Sequence, residues 1–152
     1  MNKKIMTAIM SIGIAQLLKV PLKARETGVV DWGALFQTGS MPSSHSAGVT
    51  SLATYIAWDK GMKSVDFALA TIFGMIVMYD AQGIRRQAGE LTIKVNHLDE
   101  QVEELAGHHP GHEYEEKEKK LKEMLGHQPE EVLGGAILGA LTGTLSYFAT
   151  KN

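Results

Sequence analysis

The feature that most constrains this chain is segregation. Apolar stretches at about residues 5–18, 46–58, 65–79 and 131–149 alternate with polar connections, and one connection, 85–128, is strongly charged. A mean hydropathy of −0.07 resembles that of a soluble protein only because it averages two unlike parts. Residues 65–79 are apolar almost without interruption. The stretch 5–18 is bounded by Lys3-Lys4 and Lys19, which suits a short membrane helix whose lysines snorkel to the interface. The expectation is an all-α integral membrane bundle of about four spans. One domain covers 1–152, and 85–128 forms an extramembrane helical hairpin.

The chain in order gives the boundaries. Lys19-Val20-Pro21 should close the first helix, since the residue before proline is pushed out of the helical region. No small-residue cleavage site follows the first apolar run, so it reads as an anchor rather than a cleavable signal. Residues 22–41 read as a loop carrying Lys23, Arg25, Asp31 and Trp32. Gly135, Gly139 and Gly143 recur every four residues in the last stretch. Such a stripe lets another membrane helix approach closely, whereas in a soluble helix each glycine would cost roughly 1 kcal/mol relative to Ala. Within the charged insert, Ile84, Ala88, Leu91, Val95, Leu98, Val102 and Leu105 follow a heptad seam. That seam can close on a second charged helix at 112–125 or on a second copy of the chain.

Composition excludes several classes of function. The net charge is −2, giving no global basic field for nucleic acid, and cysteine is absent, removing disulfides, thiol nucleophiles and thiolate metal sites. His108, His109, His112 and Glu113 have loose metal-ligand spacing but read as a solvated turn.

What remains is Gly39-Ser40-Met41-Pro42-Ser43-Ser44-His45-Ser46. Pro42 suits the first position of a helix, serines can cap or line its first turn, and the unpaired N–H groups there can cradle a phosphate with His45 as proton donor. If the four stretches all span, connections alternate sides. Lys19, the loop to His45, Asp80, Arg85, Arg86 and His127 then fall at one end of the bundle. Cations converging on a helix N-terminus make an anion site, and phosphate suits guanidinium forks together with backbone N–H groups.

Lys19, Met41-Pro42-Ser43-Ser44-His45 and His127-Gln128-Pro129-Glu130-Glu131 resemble a relaxed form of the three-part signature of the type 2 phosphatidic acid phosphatase and vanadium haloperoxidase superfamily. That signature runs Lys-x6-Arg-Pro, Pro-Ser-Gly-His and Ser-Arg-x5-His-x3-Asp. With Asp80 to Glu90 included, the chain is most similar to the divergent branch of small membrane proteins. The resemblance implies that His127 attacks phosphorus, Glu131 orients it, and His45 protonates the leaving group. Lys19, Ser43, Ser44, Arg85 and Arg86 would hold the phosphoryl oxygens, with Asp80 and Glu90 in support. Ser44 stands where the family has glycine and Glu131 where it has aspartate. No Arg-Pro follows Lys19 at the family spacing, and no Ser-Arg precedes His127.

The implied function is metal-free hydrolysis of a lipid-linked phosphate or diphosphate, such as a polyprenyl or phosphatidyl phosphate, in the cell membrane. Mg²⁺ held by Asp80 and Glu90 is the cofactor alternative. A non-catalytic protein that binds phosphorylated lipid, or docks partners through its hairpin, is the rival. Lys19, Lys23, Arg25, Arg85, Arg86, Lys94, Lys117, Lys119, Lys120 and Lys122 lie on the site side. Lys3, Lys4, Lys60, Lys63 and Lys151 lie on the other. The positive-inside rule then places the site in the cytoplasm.

Overall fold

The computed structural model describes residues 2–36, 40–107, 121 and 126–151, with backbone alone at 84, 85, 103, 106 and 107. Its elements are α1 (Lys3–Thr27), a 3-10 turn (Trp32–Phe36), α2 (Ser44–Lys60), α3 (Val65–Gln82), α4 (Ile84–Gly107) and α5 (Pro129–Thr150). There is no strand among the described residues. Helices α1, α2, α3 and α5 form one bundle, and among the described elements α4 packs on α3 alone.

Two boundaries differ from expectation. Helix α1 passes through Pro21 and ends at Gly28, whose φ of 74° lets its N–H cap the Ala24 carbonyl at 2.9 Å. A proline deletes one i→i−4 bond, and membrane helices tolerate that loss better than soluble ones. The extra turns bring α1 to 25 residues, roughly 37 Å at 1.5 Å per residue and enough to cross a bilayer unaided. At α2, Pro42 precedes the helix instead of opening it: Ser43 is the N-cap, its Oγ accepting from Ser46 N–H at 3.3 Å. The Met41–Pro42 peptide is cis.

The bundle is inside-out by the standards of a soluble protein. Buried positions include Thr7, Ser11, Lys19, Ser43, Ser46, Ser51 and His127, while Ile9, Leu69, Phe73, Ile76, Leu141 and Leu145 are exposed. A belt of large side chains around a core of hydroxyls and glycines belongs in lipid, where burying Leu brings no gain and close backbone approach holds helices together. By length and composition, α1, α3 running on into α4, and α5 can each cross a membrane. Helix α2, at 17 residues, falls short of the three on that measure. It packs against all of α1, α3 and α5, so the other helices sheathe it.

The expected glycine stripe is the closest seam. A Cβ on Gly135, Gly139 or Gly143 would stand 2.3 Å from Ser43 O, 2.5 Å from Ala47 O and 2.6 Å from Ser51 O. The constant offset makes α2 and α5 parallel and in register, which brings their N-termini together. Helix α1 runs antiparallel to α5 on a ladder of hydroxyls. Thr7 Oγ1 meets Ser146 Oγ at 2.6 Å, and Ser11 Oγ meets Thr142 Oγ1 at 2.8 Å while donating to Ala47 O at 3.1 Å.

The insert begins as expected with a long polar helix, α4. Asn96 on it is buried and binds both backbone groups of Leu121, donating from Nδ2 to its carbonyl at 2.9 Å and accepting its N–H at 3.0 Å. Leu121 is not helical; an amide side chain has taken the partners that a helix would supply. The rest of the expected helix at 112–125, and the His108, His109, His112 and Glu113 group, lie outside the described residues.

Candidate active site

Two helix N-termini meet at one end of the bundle. Ser43 N–H donates to the Glu131 carbonyl at 2.9 Å, locking the start of α2 onto the first turn of α5. His127 N–H donates to the Ala81 carbonyl at 3.0 Å, tying the approach to α5 onto the end of α3. Pro129 occupies the first turn of α5, where a missing N–H leaves nothing unpaired. The free N–H groups and positive dipole ends of both helices thus face one region.

His127 and Glu131 form the best-defined pair there. His127 Nδ1 lies 2.9 Å from Glu131 Oε2, which also accepts Gln128 N–H at 3.1 Å. The two side chains meet despite the intervening proline because the helix starts at that proline: His127, two residues ahead of α5, turns onto Glu131 in its first turn. With Glu131 as a carboxylate, which can only accept, the shared proton belongs to Nδ1, and a neutral ring then keeps its lone pair on Nε2. His127 is only 3% exposed, which holds the ring in one orientation. The His45 ring stands edge-on to it, with centroids 5.7 Å apart and planes at 71°. His45 is the second residue of α2, set by the Ser43 cap.

Lys19 completes the cluster from α1. Only 2% of it is exposed, and the Glu131 charge acts on it. The register fixed by Thr7–Ser146 and Ser11–Thr142 continues to put Lys19 level with the first turns of α5. A buried ammonium costs several kcal/mol unless anions surround it, and Glu131 supplies one such charge.

Other expected residues fare differently. Ser43 and Ser44 are buried at the start of α2, but Ser43 Oγ already accepts from Ser46 N–H and from Ser46 Oγ at 3.1 Å, so its first task is capping. Asp80 adjoins the Ala81 carbonyl that holds His127. Arg86 Nε donates to Glu90 Oε1 at 3.0 Å, an exposed pair one turn apart on α4. The Arg85 side chain is outside the description. No group of three or more His, Asp or Glu with metal-site geometry occurs among the described residues. Sequence reasoning missed Ala81 O, which fixes where His127 sits, since a backbone carbonyl carries no signal. Gly135, which fixes where Ser43 sits, was marked by its four-residue repeat.

Residues 1–142 match the sequence profile of the divergent PAP2 family. A relative in Bacillus subtilis (strain 168), the uncharacterized membrane protein YuiD, is 43% identical over 152 residues, covering 97% of this chain and 96% of that protein. No solved structure matches.

Proposed function

This chain belongs to the divergent PAP2 family, and on that premise we propose that it is a membrane phosphatase acting on a lipid-linked phosphate or diphosphate through a phosphohistidine. The observation that carries the reading is the His127–Glu131 pair at 2.9 Å, facing His45 across 5.7 Å. His127 Nε2 attacks phosphorus; the P–O bond to the lipid breaks, and His45 delivers a proton to the leaving alkoxide. Water, deprotonated by His45, then attacks the phosphohistidine and releases inorganic phosphate while His127 regains its lone pair. Lys19 and the N–H groups of α2 and α5 carry the oxyanion charge in both steps.

A lipid substrate is supported by a cavity of about 650 Å³ between α2 and α3. Val49, Ala53 and Ala57 line it at four-residue steps along α2, opposite Phe67, Gly74 and Met78. Its lining holds none of the site residues and stops at Val49, one helical turn from His45, so an apolar tail that lay in it would have to reach past that turn to bring a phosphate to the histidines. The positive-inside rule favours a site facing the cytoplasm and both ends of the chain outside.

The Arg86–Glu90 pair favours a second reading, a protein that binds phosphorylated lipid without turnover, because it withdraws one expected phosphate-holding cation. Phosphate release from a short-chain lipid phosphate by detergent-purified protein separates the two. Turnover that persists in chelator supports the histidine route. Turnover that depends on Mg²⁺ and on Asp80 and Glu90 replaces it, and binding without release favours the second reading.

A further inference from the structure

Helix α4 keeps its apolar stripe in the open. Leu91, Leu98 and Leu105 are 62%, 59% and 70% exposed, and Val95 and Val102 are each 47% exposed. Only α3 among the described elements packs on α4. We propose that α4 pairs with α4 of a second copy of this chain as a parallel, two-stranded coiled coil standing on the site side of the membrane.

Three observations select that occupant. The first is the residue type at each seam position. Spacings of three and four put Val95 and Val102 at a, and Leu91, Leu98 and Leu105 at d. Valine at a with leucine at d is the combination that favours two parallel strands.

The second is charge. In a parallel pair each g residue faces the e residue of the next heptad on the partner. Lys94 at g then meets Asp99 at e, twice by symmetry, while the neighbouring g–e pairs, Gln87 with Thr92 and Gln101 with Ala106, are uncharged.

The third is topology. Two copies inserted in the same sense are related by an axis along the membrane normal, so helices leaving the bilayer on the same side run parallel.

A bilayer surface is the poorer occupant. A surface helix carries a basic polar face toward anionic lipid, whereas Asp99, Glu100, Glu103 and Glu104 make the second half of α4 acidic. Asn96 holds Leu121 from position b, outside the a and d stripe.

The chain has no cysteine, so single-cysteine variants of the full-length protein in native membranes report one site each. A parallel, in-register pair sets residues 91, 98 and 105 each against its own copy, whereas an antiparallel pair can do so at one point at most, so Leu91→Cys and Leu105→Cys should cross-link as Leu98→Cys does. Leu98→Cys should form a disulfide-linked dimer under mild oxidant, several-fold more than His97→Cys on the far side of the helix. Lys94→Glu should lower the Leu98→Cys dimer several-fold, and adding Asp99→Lys should restore it. Cross-linking at 98 no greater than at 97 overturns the proposal. So does a wild-type mass of one chain by light scattering in mild detergent.

Discussion

The seam between α2 and α5 and the stripe on α4 are both helix-packing surfaces, built on opposite principles. The first brings glycines onto carbonyls, with Gly139 so close to Ala47 O that no side chain fits. The second presents Leu and Val with open space around them. In lipid, apolar bulk brings no association, and contact comes from removing side chains until backbones touch. In water the same bulk drives pairing. With α4 standing in water as proposed, the chain changes its packing rule at Gly83, where α3 ends and α4 begins.

Substitutions at the two surfaces should break this contrast unequally. The largest effect is expected from Gly139→Leu. Its Cβ alone would lie 2.5 Å from a carbonyl, so α2 and α5 must part, at a cost above the 1–3 kcal/mol typical of overpacking. Thermal unfolding in detergent should show loss of the folded protein. Leu98→Ala on α4 should leave that transition in place, because the residue is exposed within one chain.

His45→Ala tests what the α2–α5 seam positions. Losing the proposed general acid should slow hydrolysis of a lipid phosphate by about 10²–10⁴-fold. Hydrolysis of a nitrophenyl phosphate should suffer far less, since its leaving group needs little protonation. Equal losses on both substrates would contradict the role of His45. Glu131→Ala should weaken both alike, and should destabilise α5 by about 0.5–2 kcal/mol through the lost acceptor for Gln128 N–H.

The sequence carried more of the bundle than of the connections. The stretches 65–79 and 131–149 sit inside α3 and α5, and the Gly135, Gly139 and Gly143 repeat marks the closest seam, because lipid packing writes its demand into small residues at fixed spacing. Pro21 misled because a stop rule suited to soluble helices gave way inside a membrane helix. The true stop, Gly28, stood in plain view. Lys19, His45, His127 and Glu131 were legible as chemistry-bearing residues that alternation sends to one end. For Arg86 the structure shows a local partner that the alternation argument did not consider, Glu90 four residues on along the same helix. The bond from His127 to Ala81 O left no trace, since every residue has a carbonyl.

Smaller effects sharpen the polar connections. Asn96→Leu removes two hydrogen bonds to Leu121, worth about 0.5–1.5 kcal/mol each, and should speed amide exchange at Leu121 without altering exchange in α5. The smallest is expected at Asp31. The Lys23 ammonium at 2.7 Å, with Gly33 N–H, holds its carboxyl below the usual carboxylate range. A depressed value stabilises the fold above the ordinary range and loses that help as pH falls through the lowered one. The group is exposed, so Asp31→Asn should leave the unfolding transition near neutral pH almost unmoved.

The most direct test is to find the phosphoryl group on the protein. Purified protein mixed with a ³²P-labelled lipid phosphate, quenched within milliseconds in alkali and mapped by peptide, should carry an acid-labile, base-stable label on the peptide holding His127. The His127→Ala variant should show neither label nor turnover. Turnover retained by His127→Ala, or steady phosphate release with no label on that peptide, would contradict the account.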